Sequence, residues 1–237
     1  YPYGPKQPKA LLEVGERTML EMVVVALQAS EYVDRVVVVG LEEEAVGELH
    51  FTQPVSSCPD QGSIVANVSH GLRWLCNHHA REGPVLICTA DIPLLTAEAV
   101  SLFVESCRPF DRLIYYSVVS RAVLERRFPA SQRTFVRLRD GDVSGGNLFL
   151  IQPHILQTDE RLWQRLSEAR KHPWRLARRV GLWTLLRFLL RRVTLAEAEQ
   201  RASRLLGSPV RAVLCAHPEL AMDVDKPNQL ELVKHHV

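Results

Sequence analysis

The carboxylates Asp91, Asp223 and Asp225 are the side chains of this chain best suited to binding a divalent cation. Asp91 follows the apolar run 85–88, which predicts a short strand covered on both faces. Ligands of open parallel sheets bind at the carboxyl ends of strands, where a carboxylate can hold a metal beside phosphates. The alternative is that Asp91 caps the next turn or helix, although Thr96 could take that role.

The second acidic segment reads Met-Asp-Val-Asp-Lys-Pro from Met222 to Pro227. If it ends a strand, Asp223 and Asp225 alternate along it and their side chains share one face. Two such acids repel each other unless a cation or a lysine compensates, which favours a metal role for one of them. Asp225 could instead cap the helix predicted after it.

Lys9 and the segment from Gly62 could bind phosphate and nucleotide. A lysine in a loop before a packed segment can reach phosphate oxygens as a point charge, although a surface lysine is the alternative. Gly62 and Ser63 begin a predicted helix, and Asn67 follows one turn later. Backbone N–H groups at a helix start favour anions or polar base edges, whereas a plain N-cap at Ser63 is an equal alternative.

Paired glycines at Gly145 and Gly146 precede an apolar strand predicted over 148–151. Glycines there allow a substrate to approach the backbone closely. Asn147 could then form a hydrogen bond to a sugar or to another acceptor group. A hairpin turn would explain the glycines but not the position of the asparagine.

Composition and length limit the class of protein. The 237 residues suit one large domain, and the apolar fraction of 46% is enough for a sizeable core. A net charge of +2 does not indicate nucleic-acid binding. The five cysteines form no CxxC pair, which indicates reduced thiols rather than disulfides or zinc ligands. With no signal-peptide pattern and no long uncharged apolar run, we expect a cytoplasmic protein.

Strands alternate with helices over the first 120 residues. This order predicts a three-layer α/β/α domain with a Rossmann-like, mostly parallel mixed sheet. The predicted strands are 35–39, 51–55, 85–88, 113–119, 134–138, 148–151 and 210–215, although Pro54 argues against the second of them. The predicted helices are 19–29, 63–77, 97–107, 121–127 and 227–234, and 42–48 is either a short helix or a loop.

A helical insertion is predicted over about 159–206, within a single domain of residues 1–237. Its stretch 171–193 is basic and apolar, with six arginines and two tryptophans. Such a segment could lie on an anionic membrane surface, cover an active site or contact another subunit. Packing against the core with a solvated arginine face is the favoured interpretation. A membrane role would make a lipid-linked phosphate a possible acceptor.

Five short motifs occur in a fixed order along the chain. They are Lys-Ala-Leu-Leu from Lys9, Gly-Ser-x-x-x-Asn from Gly62, Asp-Ile-Pro-Leu-Leu-Thr from Asp91, Gly-Gly-Asn-Leu-Phe from Gly145 and Asp-Val-Asp-Lys-Pro from Asp223. Together they resemble the MobA-like nucleotidyltransferases, which are related to the enzymes that attach a nucleotide to molybdopterin. The resemblance spans residues 9 to about 151 and 210 to 234.

The resemblance implies the nucleotide-diphospho-sugar transferase fold, called GT-A. It also implies a Mg²⁺- or Mn²⁺-dependent transfer of a nucleoside monophosphate from a nucleoside triphosphate to a small phosphorylated acceptor, with release of pyrophosphate. The implied roles are triphosphate contact for Lys9, base and ribose contact for Gly62, Ser63 and Asn67, metal binding for Asp91 with Asp223 or Asp225, and acceptor contact for Gly145, Gly146 and Asn147.

The family pattern also has a strand and a Leu-Ala-Gly-Gly-type phosphate loop before the lysine, whereas this chain starts at Tyr1. A protein without that segment would lack a central strand and the phosphate loop. Two other functions therefore stay open. One is a GT-A glycosyltransferase, against which Lys9 argues because a lysine there suits a triphosphate better than a sugar diphosphate. The other is a catalytically inert nucleotide-binding or regulatory module.

Overall fold

The computed structural model describes residues 8–78, 83–157 and 193–236. Short strands alternate with helices along most of this length, as the sequence predicts. The strands are β1 Glu13–Val14, β2 Arg17–Thr18, β3 Val37–Val39, β4 Ser56–Cys58, β5 Val85–Cys88, β6 Ile114–Ser120, β7 Val136–Leu138, β8 Gly141–Ile151 and β9 Val210–Cys215; the helices are α1 Met19–Gln28, α2 Glu43–Gly47, α3 Ile64–His78, α4 Ala97–Ser106, α5 Arg121–Arg127, α6 Leu195–Leu206 and α7 Pro227–Lys234.

The largest sheet has the strand order β5-β8-β6-β9, and β7 pairs with β8. Strand β8 runs antiparallel to both β5 and β6, whereas β9 runs parallel to β6. Strands β5, β6 and β9 therefore point the same way, and their carboxyl ends lie at one edge of the sheet. Strands β3 and β4 form a separate parallel pair. The predicted α/β fold with a mostly parallel mixed sheet is confirmed.

Helices on both faces join the β3–β4 pair to the larger sheet. On one face, Gly71 of α3 lies against Val39 of β3, while the next residue, Leu72, is buried in the same cluster as Ile114 of β6. On the other face, side chains of α1 and α4 share one core cluster with Val38 of β3. The two sets of strands are thus held by side-chain packing, since the described residues form no hydrogen-bonded ladder between them.

Helix α1 begins at the residue that the sequence predicts. The Thr18 hydroxyl accepts a hydrogen bond from the backbone N–H of Glu21, and the Glu21 carboxylate accepts one from the backbone N–H of Thr18. This reciprocal capping box satisfies two N–H groups that the first helical turn would leave without partners. The apolar face of α1 then packs into the main core.

Three strand predictions need correction. The strand predicted over 51–55 is wrong: the strand is β4, which lies just after Pro54, a residue that cannot donate to a ladder. The strand predicted over 148–151 begins earlier, at Gly141, so residues 145–147 lie inside β8 rather than before it, where Gly145 pairs with Val118 of β6. The side chains of β5 are half-buried rather than enclosed, and β5 pairs with β8 alone among the described strands.

The predicted insertion over about 159–206 falls largely outside the described residues, as does the basic stretch 171–193 apart from Val193. The part that the structure does describe contains α6, which is helical as predicted. Within the described ranges, no helix combines the length and the apolar composition needed to cross a membrane.

Helix α3 can approach β3 because Gly71 has no side chain, and replacing it tests this packing. A Cβ at Gly71 would lie 2.9 Å from Cγ2 of Val39, whereas a Cβ at Gly47 of α2 would meet nothing within 4 Å. Alanine has a higher helix propensity than glycine, so both substitutions stabilise their helices by up to about 1 kcal/mol. Overpacking costs roughly 1–3 kcal/mol, so we expect Gly71→Ala to be destabilised relative to Gly47→Ala in urea unfolding. Equal midpoints for the two variants would contradict this packing.

Candidate active site

Asp91 lies three residues beyond the end of β5, at the edge of the sheet where the parallel strands end. Its backbone carbonyl accepts a hydrogen bond from the N–H of Val224, with an N–O distance of 2.9 Å. The side chain of Thr96 caps α4 through the backbone N–H of Ala99. Helix capping thus falls to Thr96, the residue that the sequence offered as the alternative cap.

Asp223 and Asp225 lie beside Asp91. One carboxylate oxygen from each of the three residues lies within 4.8 Å of the others. Val224 is buried between the two acids of its segment, so both acids face the same side, as predicted. The segment is extended but is not part of a strand: it connects a 3-10 turn at Pro218–Ala221 to helix α7.

Lys9 bridges two of these carboxylates. Its Nζ atom donates to Oδ2 of Asp91 at 2.7 Å and to Oδ1 of Asp225 at 2.6 Å. Burial alone would lower the pKa of Lys9, but the hydrogen bonds to Asp225 and Asp91 outweigh it and raise the pKa above its ordinary value. The structure therefore brings together the lysine and the acids from three of the predicted motifs, across as many as 216 residues of sequence.

Arg133 is a member of this group that the sequence analysis missed. Its guanidinium forms an ion pair with Oδ1 of Asp223, and both side chains are largely buried. Arg133 lies in the loop between α5 and β7, which matches none of the five motifs. The backbone turns sharply just before it, where Gln132 has a φ of 49°. No local pattern distinguishes this arginine from the others in the sequence.

The loop carrying Arg133 is tied to the acidic segment by one buried side chain, that of Gln229 in α7. Its amide oxygen accepts hydrogen bonds from the backbone N–H groups of Asp225 and Lys226, each at 2.9 Å. Its amide nitrogen donates to the backbone oxygen of Ser131 at 3.3 Å. Gln229 therefore fixes the position of the arginine relative to the acids.

The two acids of the 223–225 segment are in different electrostatic environments. Burial raises the pKa of Asp223 to about 6, and the hydrogen bond with Asp225 adds to the rise, while Arg133 opposes it. The pKa of Asp225 lies below its ordinary value, chiefly because Lys9 donates a hydrogen bond to it. Near neutral pH the cluster is thus an anionic site with two cations already in contact with it.

Gly145 of β8 pairs with Val118 of β6, and Gly146 follows it where the register of the two strands shifts between Tyr116 and Val118. A Cβ at Gly145 would lie 1.9 Å from the Tyr116 hydroxyl, and a Cβ at Gly146 would lie 2.3 Å from Oγ of Ser117. Side chains of the neighbouring strand therefore fill the space above these glycines. Acceptor binding by the two glycines stays a prediction.

Asn147 points towards the carboxylates. Its side-chain amide donates to the backbone oxygen of Leu220 at 3.1 Å and to Oδ1 of Asp223 at 3.4 Å. Asn147 of β8 thus helps to place one acid of the cluster, in addition to the acceptor contact that the sequence predicts for it.

Gly62, Ser63 and Asn67 form a second group, after the end of β4. Ser63 caps α3 through its hydroxyl, and Gly62 adopts a left-handed φ of 76°. The Asn67 amide accepts from the backbone N–H of Gln61 at 2.6 Å and donates to Asp60 at 2.8 Å, so it orders the loop in front of the helix. Among the described contacts, no hydrogen bond or ion pair joins this loop to the carboxylates.

The donor set suits a hard divalent cation. Mg²⁺ and Mn²⁺ prefer oxygen ligands, and all three side chains of the cluster supply carboxylate oxygens. Oδ1 of Asp91 is buried and has no hydrogen-bond partner among the described residues, although buried polar atoms are normally satisfied. Asp91, Asp223 and Asp225 could therefore hold such an ion.

Residues 4–211 match the family described as the MobA-like NTP transferase domain. The chain belongs to this family. A solved structure described as a hypothetical transferase from Thermus thermophilus is 38% identical to this MobA-like protein, with a TM-score of 0.79 over 94% of this chain and 90% of that chain. No curated protein matches the chain.

Two solved nucleotidyltransferases share the fold at lower identity. One is a CMP:2-keto-3-deoxy-manno-octonic acid synthetase complexed with CTP, at 15% identity and a TM-score of 0.65 over 99% of this chain and 94% of that one. The other is 2-C-methyl-D-erythritol 4-phosphate cytidylyltransferase from Thermus thermophilus, at 19% identity and a TM-score of 0.55 over 97% and 93%. Both confirm the fold inferred from the motifs.

The raised pKa of Asp223 predicts a pH-dependent contribution to stability. The folded protein holds the Asp223 proton with a pKa of about 6, against 3.8 for an unperturbed aspartate. Its contribution to the free energy of unfolding therefore falls as the pH rises from about 4 to about 6, and is constant above that. As the pH rises from 4 to 7, the free energy of unfolding of Asp223→Asn should therefore increase by on the order of 2 kcal/mol relative to that of the native protein.

Chemical denaturation in the presence of EDTA at several pH values measures this difference. Asp111→Asn, at the opposite edge of the sheet, is the matched control, because an asparagine there can still accept a hydrogen bond from the Tyr115 hydroxyl. A difference between Asp223→Asn and the native protein that stays flat or shrinks with rising pH would refute the prediction.

Proposed function

We propose that this MobA-like protein is a Mg²⁺- or Mn²⁺-dependent nucleotidyltransferase that acts on a small phosphorylated acceptor. An acceptor oxygen bonds to the α-phosphorus of a nucleoside triphosphate while the bond from that phosphorus to the bridging oxygen breaks, and pyrophosphate leaves. The observation that carries the proposal is the contact of Lys9 with both Asp91 and Asp225 beyond the end of β5.

This reaction requires little covalent chemistry from the protein. It requires alignment of two anionic reactants and neutralisation of the charge that develops on the phosphates. When bound by Asp91, Asp223 and Asp225, a divalent ion would supply Lewis-acid stabilisation of that charge. Lys9 supplies a further positive charge, and its raised pKa keeps it protonated at neutral pH. The carboxylates hold Lys9 in place through two short hydrogen bonds.

We assign nucleotide and acceptor binding to the remaining predicted residues. The ordered loop from Asp60 to Asn67 supports nucleotide binding, because it presents backbone N–H groups at the start of α3. Asn147 supports the acceptor side, because it joins β8 to Asp223. Since two of the related folds are a CTP-bound synthetase and a cytidylyltransferase, CTP is the first nucleotide to test.

Asp91→Asn tests the proposed function directly. The substitution keeps the size of the side chain but removes the charge that would bind the ion. We expect pyrophosphate release to fall by about 10²–10³-fold, measured with Mg²⁺, a phosphorylated acceptor that the native protein turns over, and the nucleotide that best raises the melting temperature. Asp111→Asn is the control and should keep full activity.

Thermal unfolding of both variants establishes that any loss of activity is not a loss of folding. Turnover by Asp91→Asn at the native rate would eliminate the assignment of Asp91. If no nucleoside triphosphate with Mg²⁺ shifts the melting temperature of the native protein, the proposed activity is wrong.

A further inference from the structure

The guanidinium of Arg133 has N–H donors that its ion pair with Asp223 does not use. Its side chain is 15% exposed and that of Asp223 is 10% exposed, so this ion pair is largely removed from water. The Nε atom of Arg133 is buried and has no hydrogen-bond partner among the described residues. A guanidinium has five N–H donors in one plane, and a single carboxylate oxygen uses few of them.

The loop that carries Arg133 is attached to the same element as the carboxylates. Gln229 contacts the backbone of Ser131 on one side and that of Asp225 on the other. An arginine on an exposed loop loses considerable side-chain entropy when it binds a ligand. Burial and the Gln229 contacts reduce that cost for Arg133, since its direction is restricted before any ligand arrives.

A divalent ion and Arg133 would compete for Asp223. The guanidinium contacts Oδ1 of Asp223, and this carboxylate is one of the three that could bind the ion. Two positive charges on one carboxylate repel each other strongly when both are partly buried. Ion binding therefore weakens the contact between Arg133 and Asp223, as it weakens the contacts of Lys9 with Asp91 and Asp225.

We propose that Arg133 is a second phosphate-binding residue, which rests on Asp223 in the ion-free protein and contacts the polyphosphate of the nucleotide once the carboxylates hold a divalent ion. The inference depends on the proposed function. The ligand class is a triphosphate or pyrophosphate, because the planar guanidinium matches two phosphate oxygens at once. Lys9 and Arg133 would then approach the polyphosphate from the two sides of the carboxylate cluster.

This role makes predictions of opposite sign for two ligands. Removing the charge in Arg133→Gln removes a competitor, so Mn²⁺ without nucleotide should bind several-fold more tightly. The same substitution removes a phosphate contact, so pyrophosphate with saturating Mg²⁺ should bind about tenfold more weakly or worse. A residue that only neutralises the buried Asp223 would not strengthen ion binding and weaken pyrophosphate binding together.

Titration calorimetry with pyrophosphate and electron paramagnetic resonance with Mn²⁺ measure the two affinities. Arg112→Gln is the matched control, because Arg112 pairs with Asp111 at the opposite edge of the sheet. It should leave both affinities unchanged. Arg133→Lys keeps the charge but loses the planar donor group, so its Mn²⁺ affinity should stay near the native value while its pyrophosphate affinity falls.

Native pyrophosphate affinity in Arg133→Gln would overturn the inference, as would unchanged or weaker Mn²⁺ binding. If Arg133→Gln does not fold, native pyrophosphate affinity in Arg133→Lys overturns it equally. Asp91→Asn separates the two hypotheses. If Asp91→Asn loses Mn²⁺ binding but Arg133→Gln changes neither affinity, only the inference about Arg133 is wrong. Native Mn²⁺ binding by Asp91→Asn removes the proposed function as well.

Discussion

Repulsion among three neighbouring carboxylates is the constraint on which this site depends. Asp91, Asp223 and Asp225 place oxygens within 4.8 Å of one another, and like charges at such distances disfavour the folded state. Lys9 and Arg133 offset part of the repulsion through ion pairs with these carboxylates. The cations come from segments far apart in sequence, a 3-10 turn at Lys9–Leu11 and the loop of Arg133, and the fold must bring both to one edge of the sheet.

The fold meets this requirement with packing as much as with strand pairing. Strands β5, β6 and β9 set the edge at which the acids and cations meet, while β3 and β4 form a pair of their own. Helix α3 connects the two sets of strands, because Gly71 lies against β3 and the next residue, Leu72, is buried in one cluster with Ile114 of β6. The loop that begins α3 is thereby placed relative to both sets of strands, and it carries the residues predicted to bind the nucleotide.

Features with local causes could be predicted from the sequence. The start of α1 depends on Thr18 and Glu21, which are neighbours in the chain, and the short apolar runs at β5 and β9 correspond to strands. Lys9 and the acids could be grouped because their motifs resemble a family pattern, although no spacing rule predicts that Lys9 contacts Asp91. Family membership rests on the match over residues 4–211.

Features that depend on distant partners could not be predicted. Arg133 is identified only by its contact with Asp223, and its loop is positioned by a glutamine 98 residues away. Gly145 and Gly146 are predicted to precede a strand, yet they lie inside β8, where Tyr116 and Ser117 of the neighbouring strand occupy the space above them. Strand β4 has no apolar alternation, and it exists because β3 offers it a partner.

The hydrogen bond between the Val224 N–H and the Asp91 carbonyl uses main-chain atoms alone. The two acid-bearing segments are therefore joined by a contact that does not require the side chains at positions 91, 223 and 225. Substitutions at these positions can change the charges at the site while this main-chain contact is kept. During divergence, a scaffold of this kind can therefore change its activity while its backbone is conserved, and a transferase can become a binding protein with the same fold.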